Sequence, residues 1–173
     1  GYGMRKFQRD LSTEMRKKFY SCPLLRLPEI YLNIAEAMNE LGLATTPDKF
    51  GRTAYDYVKL VRNRVDMPGL DESIVTPGEK LREAILHERA VEFGFEEIRY
   101  FDINRWKRDD YLKAKLHRLR ITKENDKLSY EVRYDMLHKR VYIERWDNRY
   151  FLIPIPQGEI NKKYGLVQNP GWE

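Results

Sequence analysis

The segment from His87 to Trp106 constrains this chain most, because it places carboxylates where an amphipathic helix carries apolar side chains. Charged residues are seldom fully buried unless they are paired. The glutamates of the segment therefore need cationic partners, and Arg99 and Arg105, in the basic and aromatic stretch that follows, are the candidates. The segment predicts either a structural ion-pair network or an acid-rich site. Five residues follow the alternating spacing of three and four that defines one helical stripe: Leu81, Ile85, Glu88, Glu92 and Phe95.

Glu88 and Glu92 admit a catalytic and a structural interpretation. Two carboxylates act as acid and base in glycoside hydrolysis when they flank the scissile bond. Side chains one turn apart on one helix project in the same direction, and this favours the ion-pair interpretation. Removing one partner of a buried ion pair leaves the other charge uncompensated. We therefore expect Glu88→Ala to lower the free energy of unfolding by about 3 to 5 kcal/mol.

The chain carries no complete motif for a metal or a cofactor. His87 and Glu88 match the start of the HExxH zinc motif, but Val91 stands where the second histidine would lie. A single cysteine, Cys22, excludes an internal disulfide and a thiolate zinc site. Neither a phosphate-binding loop nor a nucleophile elbow is present. We therefore expect no catalysis, no metal and no cofactor, and a surface or packing role for His87.

Length and charge indicate one globular domain, residues 1–173. A chain of 173 residues that is 42% hydrophobic has enough apolar side chains for a core. The net charge of +5 is a small excess of 32 basic over 27 acidic residues in mixed-sign segments, so nucleic-acid binding is not indicated. The chain has no apolar run of roughly 20 residues and no secretory pattern at its start. An export signal or lipid anchor is therefore expected on a segment outside this chain.

Apolar periodicity predicts two antiparallel helices at the start of a helical core, residues 27–106. The first spans Leu27 to Leu41, with a proline in its first turn and a glycine after its end. The second follows Thr46-Pro47-Asp48 and ends at Val65, with Phe50 among its inward residues and Arg62 among its outward ones. The short connection and the helix lengths are typical of a tetratricopeptide-like pair.

A third helix is predicted from a capping box. Thr76 and Glu79 have the spacing of an N-cap residue and its reciprocal partner, with proline between them at the first helical position. The helix is predicted to continue to about Phe95, and the stretch from Phe101 to Trp106 to form a further short turn.

In an insertion, residues 107–150, the spacing of apolar residues changes from that of a helix to that of a strand. Apolar residues alternate with polar ones from Leu128 to Tyr134, which predicts a half-buried strand. Leu119 and Ile121 precede it across a turn-rich stretch, so a β-hairpin is expected. A second extended pair is predicted to join residues 141–146 with residues 150–153.

The C-terminal motif, residues 151–173, is predicted to be mostly irregular. Pro154 and Pro156 prevent a helix in its first third, and residues 157–163 have room for one helical turn. Trp172 is expected to anchor an ordered turn at the end of the chain.

Four segments, in order, resemble the SusD/RagB family of nutrient-binding outer-membrane lipoproteins. Together they cover the chain almost from end to end apart from the insertion, and they resemble the C-terminal portion of the longer members. The segments are LLRLPEIYLNIAEAMNELG (24–42), VRNRVDMPGL (61–70), LREAILHERAVEFGFEEIRYFDINRW (81–106) and FLIPIPQGEINKKYGLVQNPGW (151–172).

The resemblance implies both a fold and a role. The fold is mainly α, with tetratricopeptide-like helical pairs, a small β-hairpin insertion and an irregular C-terminal tail. The role is non-catalytic capture of a glycan, or in some members a peptide, at the surface of the outer membrane. The ligand then passes to a SusC-like TonB-dependent porin partner, and a lipid anchor holds the full-length protein at the membrane. The rival interpretation is a helical module that binds a partner protein or peptide.

Ligand-binding residues do not transfer from the family, because no motif carries them. Trp146 and Tyr150 are our candidates from the sequence, since both flank a polar turn where an aromatic ring is expected to be exposed. Aromatic faces serve both for packing and for stacking on sugar rings, and packing is the more common role.

Overall fold

A computed structural model describes Lys6 and residues 23–113, 118–133 and 146–173. The chain forms a helical unit from Met4 to Asp102 and a C-terminal unit from Ile103 to Glu173. The predicted mainly α fold with a small β-hairpin is confirmed. The prediction that residues 1–173 form a single domain stays a prediction.

Helix α1, Leu27–Glu40, matches its predicted range within one residue. Its end is closed by Gly42, which adopts a φ of 70° and donates its N–H to the carbonyl of Asn39. The buried residues of α1 include two polar side chains, Glu36 and Asn39.

Helix α2, Ala54–Asn63, begins later than predicted. The carboxylate of Asp48 accepts hydrogen bonds from the backbone N–H groups of Phe50 and Arg52, at 2.8 and 3.0 Å, and so forms a turn where a helix was expected. The helix starts instead at a capping box between Thr53 and Asp56. Phe50, predicted to face inward, is consequently 67% exposed. Val65, the predicted last residue, lies beyond the end of the helix at Asn63 and is 52% exposed.

Helix α3, Glu79–Glu92, starts and ends differently from the prediction. The capping box at Thr76 is wrong, because the N-cap residue is Gly78 and no side chain of the same segment caps the helix. The helix ends at Glu92, three residues before the predicted position of about Phe95. The side chain that enters the core is Phe93, 1% exposed, whereas Phe95 adopts a φ of 66° and is 73% exposed.

The core of the helical unit lies between these three helices. Helix α1 packs against both α2 and α3. Burial of this apolar surface, at about 25 cal/mol per Å², is the main stabilising contribution to the unit. The core residues are Leu32, Ala35, Ala44, Ala54, Tyr57, Val58, Val61, Leu81, Ile85 and Phe93.

Two further helices follow the core. Helix α4, Ile98–Arg105, replaces the short turn predicted for residues 101–106. Helix α5, Asp109–Lys113, begins the insertion. Among the described residues, no helix combines the length and the apolar content needed to cross a bilayer.

The predicted β-hairpin is confirmed as strands β1, Arg118–Glu124, and β2, Lys127–Arg133. Asn125 and Asp126 join them with φ values of 48° and 60°, which is the geometry of a two-residue type I′ turn. Ile121 pairs with Tyr130. The five apolar side chains of the hairpin share the face opposite the Thr122–Ser129 pair. Four of them are exposed and Leu119 is half-buried, so the prediction of a half-buried strand is wrong.

Two short helical turns lie near the end of the chain, one overlapping the first residue of the C-terminal motif and one within the motif. A 3-10 helix, Asn148–Phe151, occupies the position predicted as an extended segment beginning at Tyr150, so that strand prediction is wrong. The other half of the predicted pair, residues 141–146, lies outside the described residues except for Trp146. The helical turn predicted within residues 157–163 is confirmed as α6, Gln157–Ile160.

Candidate functional site

The glutamate stripe of α3 is held by arginines from other elements. Glu88, nearly buried, accepts a hydrogen bond from Nη1 of Arg62 at 2.5 Å. Arg62 lies in the last turn of α2, where the sequence predicted an outward side chain, and its Nε also donates to the carbonyl of Pro68 at 2.6 Å. This ion pair ties the end of α2 to the middle of α3.

Glu92 takes part in a larger network at the end of α3. One carboxylate oxygen lies 2.7 Å from Nη1 of Arg26, and the other lies 3.0 Å from Nη2 of Arg64. Arg26 also donates to both carboxylate oxygens of Glu96, at 2.9 and 2.8 Å. The ammonium of Lys6 pairs with Glu96 and donates to the backbone carbonyl of Glu92 at 2.7 Å. Three separate segments of the helical unit therefore converge on the C-terminal end of α3.

The network sets the ionisation of its members. Hydrogen bonds to Glu96 raise the pKa of Arg26 above its ordinary value. Burial opposes this shift, and the hydrogen bond to Glu92 reinforces it. Burial acts to raise the pKa of Glu96. The hydrogen bonds from Arg26 and Lys6 outweigh it, and this pKa lies below its ordinary value. The charged forms are thus favoured, as expected for a structural ion-pair network.

A second ion pair lies deeper, where the sequence prediction named no residue. Nε of Arg89 donates to Asp102 at 2.8 Å, and the two side chains are 4% and 2% exposed. Nη1 of Arg89 donates to Oδ1 of Asn33 at 2.6 Å, and the guanidinium lies 5.6 Å from the ring centre of Phe93. A sequence signal existed, because Arg89 continues the spacing of four set by Leu81 and Ile85.

The two arginines named from the sequence lie further along the chain. Arg99, in α4, is half-buried in the helical unit. Arg105, at the end of α4, belongs to the C-terminal unit and lies 5.5 Å from the ring centre of Trp106. Their assignment to the network of Glu88 and Glu92 stays a prediction. His87 is exposed, and no cluster of metal-ligating side chains occurs in the part of the chain that the structure describes.

The aromatic candidates lie in a cluster of the C-terminal unit. Trp146 contacts Tyr150 and Phe151 edge-on, with ring centres 5.6 and 5.1 Å apart. Tyr150 also lies 5.6 Å from Trp172, and the guanidinium of Arg149 lies 4.7 Å from the ring centre of Trp172. The structure thus brings Trp146 and Tyr150 together. Both are half-buried, whereas the sequence led us to expect an exposed Trp146.

Two indole N–H groups of this cluster differ in their partners. Nε1 of Trp172 donates to the carbonyls of Arg149 and Leu152, at 3.2 and 3.0 Å, and so anchors the C-terminal turn as predicted. Nε1 of Trp146 is shielded from solvent and has no hydrogen-bond partner among the described residues.

These helices define a mainly α protein of tetratricopeptide-like type. The model of the SusD family matches residues 1–172, and the chain belongs to this family. It is similar to the crystal structure of a SusD-like protein from Bacteroides fragilis NCTC 9343, with 37% identity and a TM-score of 0.66. That similarity covers 86% of this chain and 25% of the other, so the chain spans about a quarter of that relative. The search of curated proteins finds no match.

Proposed function

We propose that this chain is part of a non-catalytic, SusD-like protein that captures a nutrient glycan at the surface of the bacterial outer membrane. The observation that carries the proposal is the family match over residues 1–172. The ion-pair network supports it, because the carboxylates of Glu88 and Glu92 are occupied by arginines from neighbouring elements. A lipid anchor outside this chain would hold the protein at the membrane, and a SusC-like TonB-dependent porin would receive the ligand.

The aromatic cluster of the C-terminal unit is our candidate for ligand contact. Trp146 and Tyr150 are half-buried, so each is held by its neighbours while part of its surface faces solvent. Rings held in this way lose little conformational entropy when they stack on a sugar ring. The adjacent Arg149, Asp147 and Asn148 supply the polar groups that hydroxyls require.

Titration of glycans against the complete protein tests the candidate residues. We expect Trp146→Ala and Tyr150→Ala to weaken glycan binding by about two- to tenfold, the effect of losing one aromatic contact. Tyr164→Ala is the matched control, because Tyr164 lies in the same unit, is 74% exposed and is not part of the cluster. Trp146→Phe, which keeps a ring, should retain most of the affinity. Wild-type affinity in both alanine variants would remove these residues from the site.

The same titration separates the proposed function from its rival. A glycan and peptide panel, read by calorimetry together with a reducing-sugar assay, should show binding of a glycan without its cleavage. Binding of peptides and of no glycan would favour the protein- or peptide-binding module. Release of reducing sugar would contradict the non-catalytic role.

A separate experiment tests the porin partner. When the tagged protein is purified from its own bacterium, the porin should be recovered with it.

A further inference from the structure

Strand β2 is exposed along nearly its whole length. Its residues from Lys127 to Val132 are exposed, and only Arg133 is half-buried. They include Leu128, 54% exposed, and Tyr130, 59% exposed. In the part of the chain that the structure describes, β2 pairs with β1 alone, so its outer edge has no strand beside it.

The register of the hairpin decides which backbone groups point outward from that edge. The residues that flank a two-residue turn exchange backbone hydrogen bonds, and along the strands such pairs alternate with pairs that exchange none. Lys127 follows the turn directly. Lys127 and every second residue after it therefore bond to β1, whereas the N–H and C=O groups of Leu128 and Tyr130 point outward. A further strand can pair with these free groups.

The charges on this edge are arranged to match a second copy of the same strand. Charges on an edge strand usually prevent pairing, because like charges meet. Here Lys127 and Glu131 have opposite charges and lie at equal distances along the strand from Ser129. Among the described residues the ammonium of Lys127 has no ion pair. The carboxylate of Glu131 lies 3.9 Å from Nε of Arg133, which is too far for a hydrogen bond.

We propose that β2 pairs antiparallel with β2 of a second copy of this chain, about a two-fold axis at Ser129. This register places Lys127 opposite Glu131 of the second copy, and Leu128 opposite Tyr130 of the second copy. The symmetry repeats each pair. Leu128 and Tyr130 carry the outward-pointing backbone groups, so they also form the hydrogen-bonded pairs. The inference does not depend on the proposed glycan ligand.

Other registers and the other edge match less well. The smallest shift that keeps the apolar faces together is two residues. In one direction this shift places Lys127 opposite Arg133, and in the other it leaves only the turn end of β2 paired. On the edge of β1, Lys123 stands in the apolar row, so a two-fold axis at Ile121 or Thr122 places an aliphatic side chain opposite its ammonium.

Disulfide trapping in the complete protein tests the pairing, since an interface limited to strand edges is small and the dimer is expected to be weak. In the proposed register the two copies of Ser129 form a pair without backbone hydrogen bonds. Their Cα atoms lie about 4.5 Å apart, which a disulfide can span. Ser129→Cys, in a Cys22→Ser background, should therefore form a disulfide-linked dimer under mild oxidation.

Lys123→Cys is the matched control, because Lys123 lies on the other strand of the same hairpin and its side chain is 64% exposed. Its thiols should crosslink at least about tenfold more slowly than those of Ser129→Cys, because no pairing holds them together. Equal rates for the two variants would overturn the proposal. Faster crosslinking of Ile121→Cys than of Ser129→Cys would overturn it in favour of the β1 edge.

Charge reversal tests the register. Glu131→Lys and Lys127→Glu, each combined with Ser129→Cys, place like charges opposite each other and should reduce the crosslinking rate to that of the control. The two reversals change the net charge in opposite directions, so a fall in both variants reports the local pairs. The two reversals together restore opposite charges and should restore the rate. Failure of this combined variant to recover crosslinking would overturn the proposed register.

Discussion

At the scale of single residues, the glutamates of α3 act through partners that the sequence does not place next to them. Glu88 and Glu92 were identifiable because charge on an apolar stripe requires compensation. Arg62, Arg26 and Arg64 were not identifiable, because they approach from other elements and depend on how the helices pack. Local spacing fixes which face of a helix a residue occupies, but only the tertiary arrangement decides what lies opposite.

Replacement of Glu88 tests the Arg62 pair. Glu88→Ala leaves the guanidinium of Arg62 without its carboxylate in a nearly buried place. Because Arg62 keeps its hydrogen bond to the carbonyl of Pro68, we expect a loss near the lower end of the buried-pair range, about 3 kcal/mol. Urea unfolding measures this loss. Asp110→Ala removes an exposed partner of Arg108 and should cost only about 0 to 1 kcal/mol. An unchanged midpoint for Glu88→Ala would contradict the structural role.

The stability that the ion-pair network contributes depends on pH through the ionisation of Glu96. Its pKa in the folded protein lies below the ordinary value of 4.5, so its contribution is fully present above that value and is lost as the pH falls through the folded pKa. Glu96→Gln should therefore destabilise the protein at pH 7, and the difference from wild type should shrink as the pH falls below about 4.5. Urea midpoints at several pH values measure this. Glu97→Gln, at an exposed neighbour, should follow wild type throughout. A constant difference at all pH values would exclude ionisation of Glu96 as the cause.

At the scale of elements, helix starts show where local signals suffice and where they fail. The capping box of α2 is entirely local, since Thr53 and Asp56 satisfy each other's backbone N–H groups. The start of α3 is tertiary. Oδ1 of Asn39 accepts from the N–H of Gly78 at 2.8 Å, and its Nδ2 donates to the carbonyl of Gly78 at 3.2 Å. Gly78 adopts a φ of 137°, which favours glycine, and so the nearby Thr76 signal was misleading.

Replacement of Asn39 tests this cap. Asn39→Ala leaves the N–H of Gly78 without its partner, whereas the carbonyl of Gly78 keeps the hydrogen bond from the N–H of Arg82. We expect a loss of about 1 to 2 kcal/mol. Urea unfolding followed by circular dichroism measures it. Asn63→Ala, at the exposed end of α2, serves as the control and should change stability by no more than about 0.5 kcal/mol. A near-neutral Asn39→Ala would show that solvent replaces the cap.

At the scale of the whole molecule, the sequence predicted the fold class better than the candidate site. The apolar spacing of α1 and the alternation of β1 and β2 were read correctly, because local patterns determine both. The family resemblance was also correct. The half-buried setting of Trp146 could not be predicted, since it depends on rings that are brought together by the 3-10 turn and the C-terminal tail.

Because Asn39 caps helix α3, the amide proton of Gly78 can report whether α1 and α3 are packed together. The amide of Gly78 is held by a side chain from α1, 39 residues earlier, and not by its own helix. Its exchange with deuterium should therefore be slow only while α1 and α3 lie together. A single amide resonance would thus follow the docking of two helices in solution, independently of how much helix each of them retains.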